Sequence, residues 1–130
     1  MNLEEKLKLV ATYVRLKVEE ENKDTNPDLY GECMDASDEI VSMLSDIGIE
    51  AEFIEGWVSY DMGGCCSDRS YDEHCWVEVK DGDDAWYVDV TATQFNRLMC
   101  TEFEPIIVTK ERPKAMSYDE PVFEDDFDED

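Results

Sequence analysis

The sequence predicts an α+β domain in which N-terminal helices pack on an antiparallel sheet, and three observations lead there. Two stretches within the first 50 residues repeat apolar residues at spacings of three and four, the mark of helices buried along one face. Three later stretches, between residues 49 and 90, alternate in polarity and are rich in β-branched and aromatic residues, as strands are. Between the last two lies Asp81-Gly82-Asp83-Asp84, a turn sequence that folds consecutive strands back on each other.

The size and composition suit one domain. At 130 residues, 42% hydrophobic and 11% aromatic, the chain can bury a real core and lacks the low-hydrophobicity composition of a disordered one. Residues 1–116 are expected to form this domain. Residues 119–130 hold eight acids and no base, a block that self-repels, so residues 117–130 are expected to be an acidic, flexible tail. Taking those eight charges from the net −24 still leaves −16 on residues 1–118. Such a surface repels nucleic-acid backbone and anionic membranes and attracts basic proteins or peptides. No apolar run approaches the roughly 18 residues of a membrane span, and Met1-Asn2-Leu3-Glu4-Glu5-Lys6 does not resemble an export signal. A cytoplasmic location, with the five cysteines reduced, is the expectation.

In chain order, Leu3, Leu7, Val10, Ala11, Val14 and Val18 form one helical stripe, with Leu9, Tyr13 and Leu16 widening it; Glu4, Glu5, Lys8, Arg15 and Glu19 to Glu21 take the solvent side. Asn22 to Gly31 is a loop, and Pro27 holds Asn26 extended. A second helix is predicted over Cys33 to Ile47, buried through Cys33, Ala36, Ile40, Met43, Leu44 and Ile47 and stopped by Gly48. Strands follow over Ile49–Tyr60, His74–Lys80 and Ala85–Val90, with Asp61–Glu73 as a loop. Thr91–Met99 reads as a short helix or irregular loop, and Thr101–Thr109 as a fourth strand that Pro105 pushes toward an edge.

The order Cys33, His74, Asp89 carries the chemistry. A cysteine opening a helix feels the positive end of the helix dipole, which stabilises thiolate, the form that attacks carbonyl carbon. His74 is the only histidine. It opens one predicted strand while Asp89 nearly closes the next, so both lie at one end of a hairpin whose strands run about 5 Å apart. A helix packed on that sheet brings Cys33 to the imidazole, with Asp89 orienting the ring from the other side, which is nucleophile, base and orienter in one place.

Several motifs in this region resemble the transglutaminase-like superfamily. Gly31-Glu32-Cys33, leading into a helix that ends Leu44-Ser-Asp-Ile-Gly48-Ile-Glu-Ala51, is similar to its nucleophile helix, which runs through a short Gly-Ile-x-Ala loop into a strand ending in glycine, as Gly56 does here. His74-Cys75-Trp76-Val77-Glu78 resembles its His-x-Trp-x-Glu strand. Trp86-Tyr87-Val88-Asp89-Val90-Thr91 resembles its Trp-x-x-Asp-Pro-Thr strand, with Val90 where proline is usual, and Thr91-Ala92-Thr93-Gln94-Phe95 matches the ending of some small bacterial and phage-type members. The resemblance covers residues 31–95. It implies a papain-like α+β fold and an enzyme acting on amide groups through a thioester, as deamidase, peptidase or transglutaminase. Cys33 would be its nucleophile, His74 its general acid/base and Asp89 its orienter. The oxyanion hole would take the backbone N–H of Cys33 and a donor from the Asn26 to Glu32 loop, either the Asn26 side chain or a backbone amide. Apart from the resemblance, Trp76 reads as core or as a wall lining the substrate groove, and Gln94 as a structural residue or one that bonds near the triad. No cofactor is implied, and the expected substrate is a protein or peptide of basic character.

Other readings compete. Cys65, Cys66, His74 and Cys75 look like metal ligands, but adjacent cysteines with no C-x₂-C spacing suit a tetrahedral zinc poorly, so no metal is expected. Cys65 or Cys66 could instead form a regulatory disulfide with Cys33 or Cys75. A non-catalytic acidic binding protein on the same fold, an inhibitor or nucleic-acid mimic, is the alternative to an enzyme.

Overall fold

The computed structural model describes residues 1–26, 29, 31–61, 69–96 and 103–120. Two helices, α1 (Leu3–Asn22) and α2 (Cys33–Asp46), precede five strands: β1 (Glu52–Asp61), β2 (Arg69–Asp81), β3 (Asp84–Asp89), β4 (Ile107–Thr109) and β5 (Met116–Ser117). A 3-10 turn, Ala92–Phe95, follows β3. The strands form one sheet in the order β4-β3-β2-β1-β5, every neighbour antiparallel. This is the α+β class that the sequence predicts.

Asn2 caps α1 reciprocally: its side chain accepts the Glu5 N–H at 2.8 Å, and Glu5 accepts the Asn2 N–H at 3.0 Å. Leu7, Val10, Ala11, Val14 and Val18 are buried as the spacing predicts. Leu9, Tyr13 and Leu16 are not: they are 60%, 53% and 59% exposed. The helix meets α2 and the β3–β4 side of the sheet through one limited arc, and the five buried residues already fill it. Arg15, assigned to solvent by its charge, is mostly covered. Its guanidinium donates to the Val90 carbonyl and the Thr93 hydroxyl, both at 2.8 Å, and so ties α1 to the chain just after β3.

Helix α2 buries Ala36, Ile40 and Leu44, while Ile47 is its exposed C-cap. Gly48, at φ +82°, ends it, with the Ile49 N–H turning back to the Leu44 carbonyl at 2.8 Å. One face of the sheet packs Val77, Val79, Trp86 and Val88 against both helices. The opposite face gathers Val58, Trp76, Tyr87, Ala92, Phe95 and Met116 into a second core.

The strand limits differ from the sequence reading in ways that matter for the site. β2 begins at Arg69, five residues before His74, because Arg69 to Glu73 pair with Trp57 to Asp61 of β1. Charged residues over this stretch read as loop, yet Asp72 stays half-buried and Glu73 exposed within the ladder, and an antiparallel sheet with a solvated face tolerates them. Gly56 lies inside β1 and not at its end. The Trp76 ring sits over it, and an added Cβ would meet that ring and, at 2.6 Å, the Ser117 carbonyl. β4 keeps only Ile107–Thr109 of the predicted fourth strand, and Thr101 and Glu102 lie outside the described residues. β5 pairs with β1 across the expected domain boundary at residue 116, and the Tyr118 hydroxyl donates to Glu78 at 2.8 Å. Pro121–Asp130 lie outside the described residues.

Candidate active site

Cys33 is the first residue of α2 and half-buried. The chain reaches it through two left-handed positions, Leu29 at φ +62° and Gly31 at φ +83°. The second is natural for glycine. At Leu29 the left-handed conformation costs roughly 1–2 kcal/mol, and burial of its side chain in the helix-side core holds it. Glu32, the N-cap, makes no side-chain capping bond. The first N–H groups of a helix have no intrahelical acceptor, and an anion or thiolate is favoured where they gather.

His74 is fully buried within β2, paired with Gly56 of β1. Its register with β3 explains its partner. Glu78 lies opposite Tyr87, and alternation along both strands puts His74, Trp76, Tyr87 and Asp89 on the same face of the sheet. Asp89, the last residue of β3, is itself 3% exposed and meets the imidazole directly, Nε2 to Oδ2 at 2.7 Å. The Tyr87 hydroxyl also donates to Oδ2, at 2.6 Å, and the Thr91 N–H donates to Oδ1 at 3.0 Å. The carboxylate is therefore satisfied on both oxygens. Phe95 packs edge-on against the imidazole with ring centroids 5.1 Å apart. The other ring nitrogen, Nδ1, is buried with no hydrogen-bond partner among the described residues.

Cys33 and His74 line one cleft of about 420 Å³, with Gly31, Met34, Trp57, Tyr71, Asp72, Glu73, Cys75, Gln94 and Phe95. Their charges are coupled. Burial disfavours thiolate at Cys33, but the imidazole of His74 and the Cys75 backbone outweigh it, and the thiol pKa falls below its ordinary value. Burial likewise disfavours imidazolium at His74, yet the Asp89 carboxylate, with Cys33 adding to it, raises the pKa from 6.5 to about 9. For Asp89 the burial cost is overcome first by His74, then by Tyr87 and Thr91, and its pKa is lowered. Thiolate and imidazolium each favour the other's charged form. Cys75 goes the opposite way: burial and the neighbouring Cys33 push its thiol up to about 12. Two thiols in one cleft thus differ in charge preference, with thiolate favoured at Cys33 and disfavoured at Cys75.

The remaining expected site residues separate. Gln94 lines the cleft, its carbonyl accepting the Gly31 N–H at 3.1 Å and its amide donating to the Thr91 carbonyl at 3.0 Å. Trp76 is fully buried behind His74 in the second core and does not line the cleft. It shares the sheet face of His74, but its ring lies over Gly56 and against Tyr87 in that core, and Trp57 and Tyr71, edge-on at 5.7 Å, line the cleft instead. Asn26 and Glu32 are half-buried and also outside the lining. Asn26 sits in the turn after α1, where its N–H bonds to Asn22 and its carbonyl accepts from Leu29. Tyr87 and Cys75 were missed as site residues. The sequence signal for Tyr87 was its spacing of two from Asp89, which puts both on one face of a strand. Cys65, Cys66 and Cys100 lie outside the described residues, among which no group of three or more His, Cys, Asp and Glu side chains is placed to hold a metal.

The match of the transglutaminase-like superfamily to residues 1–89 spans more than half of the chain. The chain belongs to the transglutaminase-like superfamily. That membership supports a cysteine-type enzyme in general terms. Among solved structures the chain is similar to one described as revealing a thiol-protease-like catalytic triad in the C-terminal region of Pasteurella multocida toxin. Identity is 19% and the TM-score 0.42, over 62% of this chain and 11% of that one. No curated protein matches the chain. No helix among the described residues is long and apolar enough to cross a membrane.

Proposed function

We propose that the protein is a cysteine amide hydrolase or acyltransferase, of deamidase, peptidase or transglutaminase type, acting through a thioester on Cys33. The observation that carries this is the buried His74, held at Nε2 by Asp89, with no hydrogen-bond partner for Nδ1 among the described residues and the Cys33 thiol coupled to the ring in the cleft they share. A buried polar atom without a partner is costly and is explained when it exchanges a proton with the sulfur and the reacting group.

In this reading the Cys33 thiolate attacks the carbonyl carbon of a carboxamide and forms a C–S bond while the carbonyl electrons move to oxygen. The uncapped start of α2 supplies N–H groups toward that oxygen, the Cys33 N–H among them. Imidazolium at His74 gives its proton to the departing nitrogen, so ammonia or an amine leaves and the thioester remains. Neutral His74 then takes a proton from water or a second amine, which attacks the thioester and releases Cys33. Asp89 fixes the ring and offsets its charge throughout. No cofactor enters these steps. Asp72 and Glu73 in the cleft and Glu55 in an adjoining pocket, with the overall −24, favour a protein or peptide substrate of basic character.

Iodoacetamide at neutral pH tests the reading. Cys33 is expected to be alkylated well ahead of the other cysteines, His74→Ala to lose that preference, and Cys33→Ala to fold normally without turnover. Uniform labelling of accessible cysteines would refute the enzyme reading, and full biological effect in Cys33→Ala would favour an acidic binding protein.

A further inference from the structure

The imidazole and the backbone that delivers the thiol are joined by an unbroken series of hydrogen bonds. His74 Nε2 meets Asp89 Oδ2 at 2.7 Å, and Asp89 Oδ1 accepts the Thr91 N–H at 3.0 Å. The Thr91 carbonyl accepts from Gln94 Nε2 at 3.0 Å, and Gln94 Oε1 accepts the Gly31 N–H at 3.1 Å. Gly31 lies two residues before Cys33. Every link comes from the end of β3 or the 3-10 turn except the last, which crosses to the segment feeding α2.

Gln94 is the crossing point, and its chemistry suits the task. Its side chain is only 8% exposed, and it donates to one backbone group while accepting from another. An amide does both at once; a carboxylate only accepts, and an aliphatic side chain does neither. The segment it holds needs holding. Gly31 is left-handed, with nothing within 4 Å of where a Cβ would point, so side-chain packing does not fix it. The helix it leads into lacks a capping side chain at Glu32. Leu29 is anchored by burial and by its N–H to the Asn26 carbonyl at 2.9 Å, whereas Gly31 is anchored by Gln94.

We infer that Gln94 is a positioning residue that ties the turn before Cys33 to the His74–Asp89 pair, holding the sulfur in register with the imidazole. The inference rests on the reading that Cys33 and His74 act together. Small displacements of a reacting group are expensive: about 1 Å of misplacement can cost on the order of a hundredfold in rate.

The test compares Gln94→Glu and Gln94→Leu with the wild-type full chain, using the rate of Cys33 alkylation by iodoacetamide from pH 5 to 8. At pH 7 the Gln94→Glu carboxylate faces the Thr91 carbonyl without a proton to donate, and the rate is expected to fall about tenfold. Protonation restores one donor and one acceptor, so the ratio of Gln94→Glu to wild type should climb back as pH falls. Gln94→Leu should stay slow across the range, and His74→Ala reports separately on the pair itself. Wild-type rates in both variants, or a Gln94→Glu deficit that does not change with pH, would overturn the inference. If Gln94→Leu does not fold, the pH course of Gln94→Glu decides alone. Should wild-type Cys33 show no His74-dependent preference, the proposed function fails first. If that preference holds and the Gln94 variants match wild type, only the positioning role fails.

Discussion

Replacing Asp89 with asparagine removes one charge and little volume, and its largest effect should be on the histidine. In the native chain burial alone would hold His74 neutral, and the Asp89 carboxylate is the foremost reason its pKa instead rises from 6.5 to about 9. At about 1.4 kcal/mol for each pKa unit, that rise is worth about 3 kcal/mol in favour of imidazolium. Without the charge, burial dominates and the pKa should drop to 6.5 or below. His74 is the only histidine in the chain, so its ring protons are a direct assay: a proton NMR titration should show one midpoint near 9 in the wild type and one at or below 6.5 in Asp89→Asn. Cys33 contributes after Asp89, so Cys33→Ala should lower the midpoint by a smaller step. The same loss of imidazolium raises the Cys33 thiol pKa, and the acid limb of its alkylation profile should move to higher pH. The drop in rate at pH 7 will be smaller than the loss of thiolate, because a more basic thiolate is also a better nucleophile. A wild-type midpoint near 6.5, or one that Asp89→Asn leaves unmoved, would refute the electrostatic account of the site.

Two further outcomes follow from the same contacts. Stability should depend on pH through the His74–Asp89 pair. The raised His74 pKa contributes stability that is complete below 6.5 and lost as pH rises through about 9; the lowered Asp89 pKa contributes stability present above 3.8 and lost as pH falls through its folded value. Because the lowered Cys33 pKa acts in the opposite direction at alkaline pH, urea denaturation in a Cys33→Ala background isolates the pair. Its midpoint should decline as pH rises above 6.5 and level off below 9, since Cys33→Ala itself lowers the His74 pKa, and adding Asp89→Asn should abolish the decline; persistence of the same slope would count against the pair. Separately, Gly56→Ala places a Cβ against the Trp76 ring and within 2.6 Å of the Ser117 carbonyl, a backbone atom that cannot rotate away. It should destabilise the fold by about 1–3 kcal/mol in denaturant unfolding, and a change below about 0.5 kcal/mol would show that β1 and β5 separate readily.

Much of this protein was legible in one dimension because the relevant physics is local. Helix periodicity marked Leu7, Val10, Ala11, Val14 and Val18 as one buried face, and Gly48 as the helix stop, since backbone geometry sets both within a few residues. The Asp-Gly turn set the antiparallel β2–β3 pair, and with it the common end of the hairpin where His74 and Asp89 meet at 2.7 Å. The position of Cys33 at the start of α2 followed from the end of the Asn/Pro/Gly-rich loop.

Tertiary contacts decided the rest. Leu9, Tyr13 and Leu16 are apolar but exposed, because which part of an apolar arc is covered depends on the partner laid against it. Arg69, Asp72 and Glu73 are charged yet lie in β2, because the backbone ladder to β1 forms whatever side chains the strand carries. Trp76 is buried over Gly56 in the second core while Trp57 lines the cleft, a division that tertiary packing makes and composition does not record. The sharpest case is the site itself. Its residue types were readable from the sequence, but the thiol and imidazole pKa shifts arise from burial and charge at a few ångströms, and Gln94 meets Gly31 only because the fold brings together residues 63 positions apart.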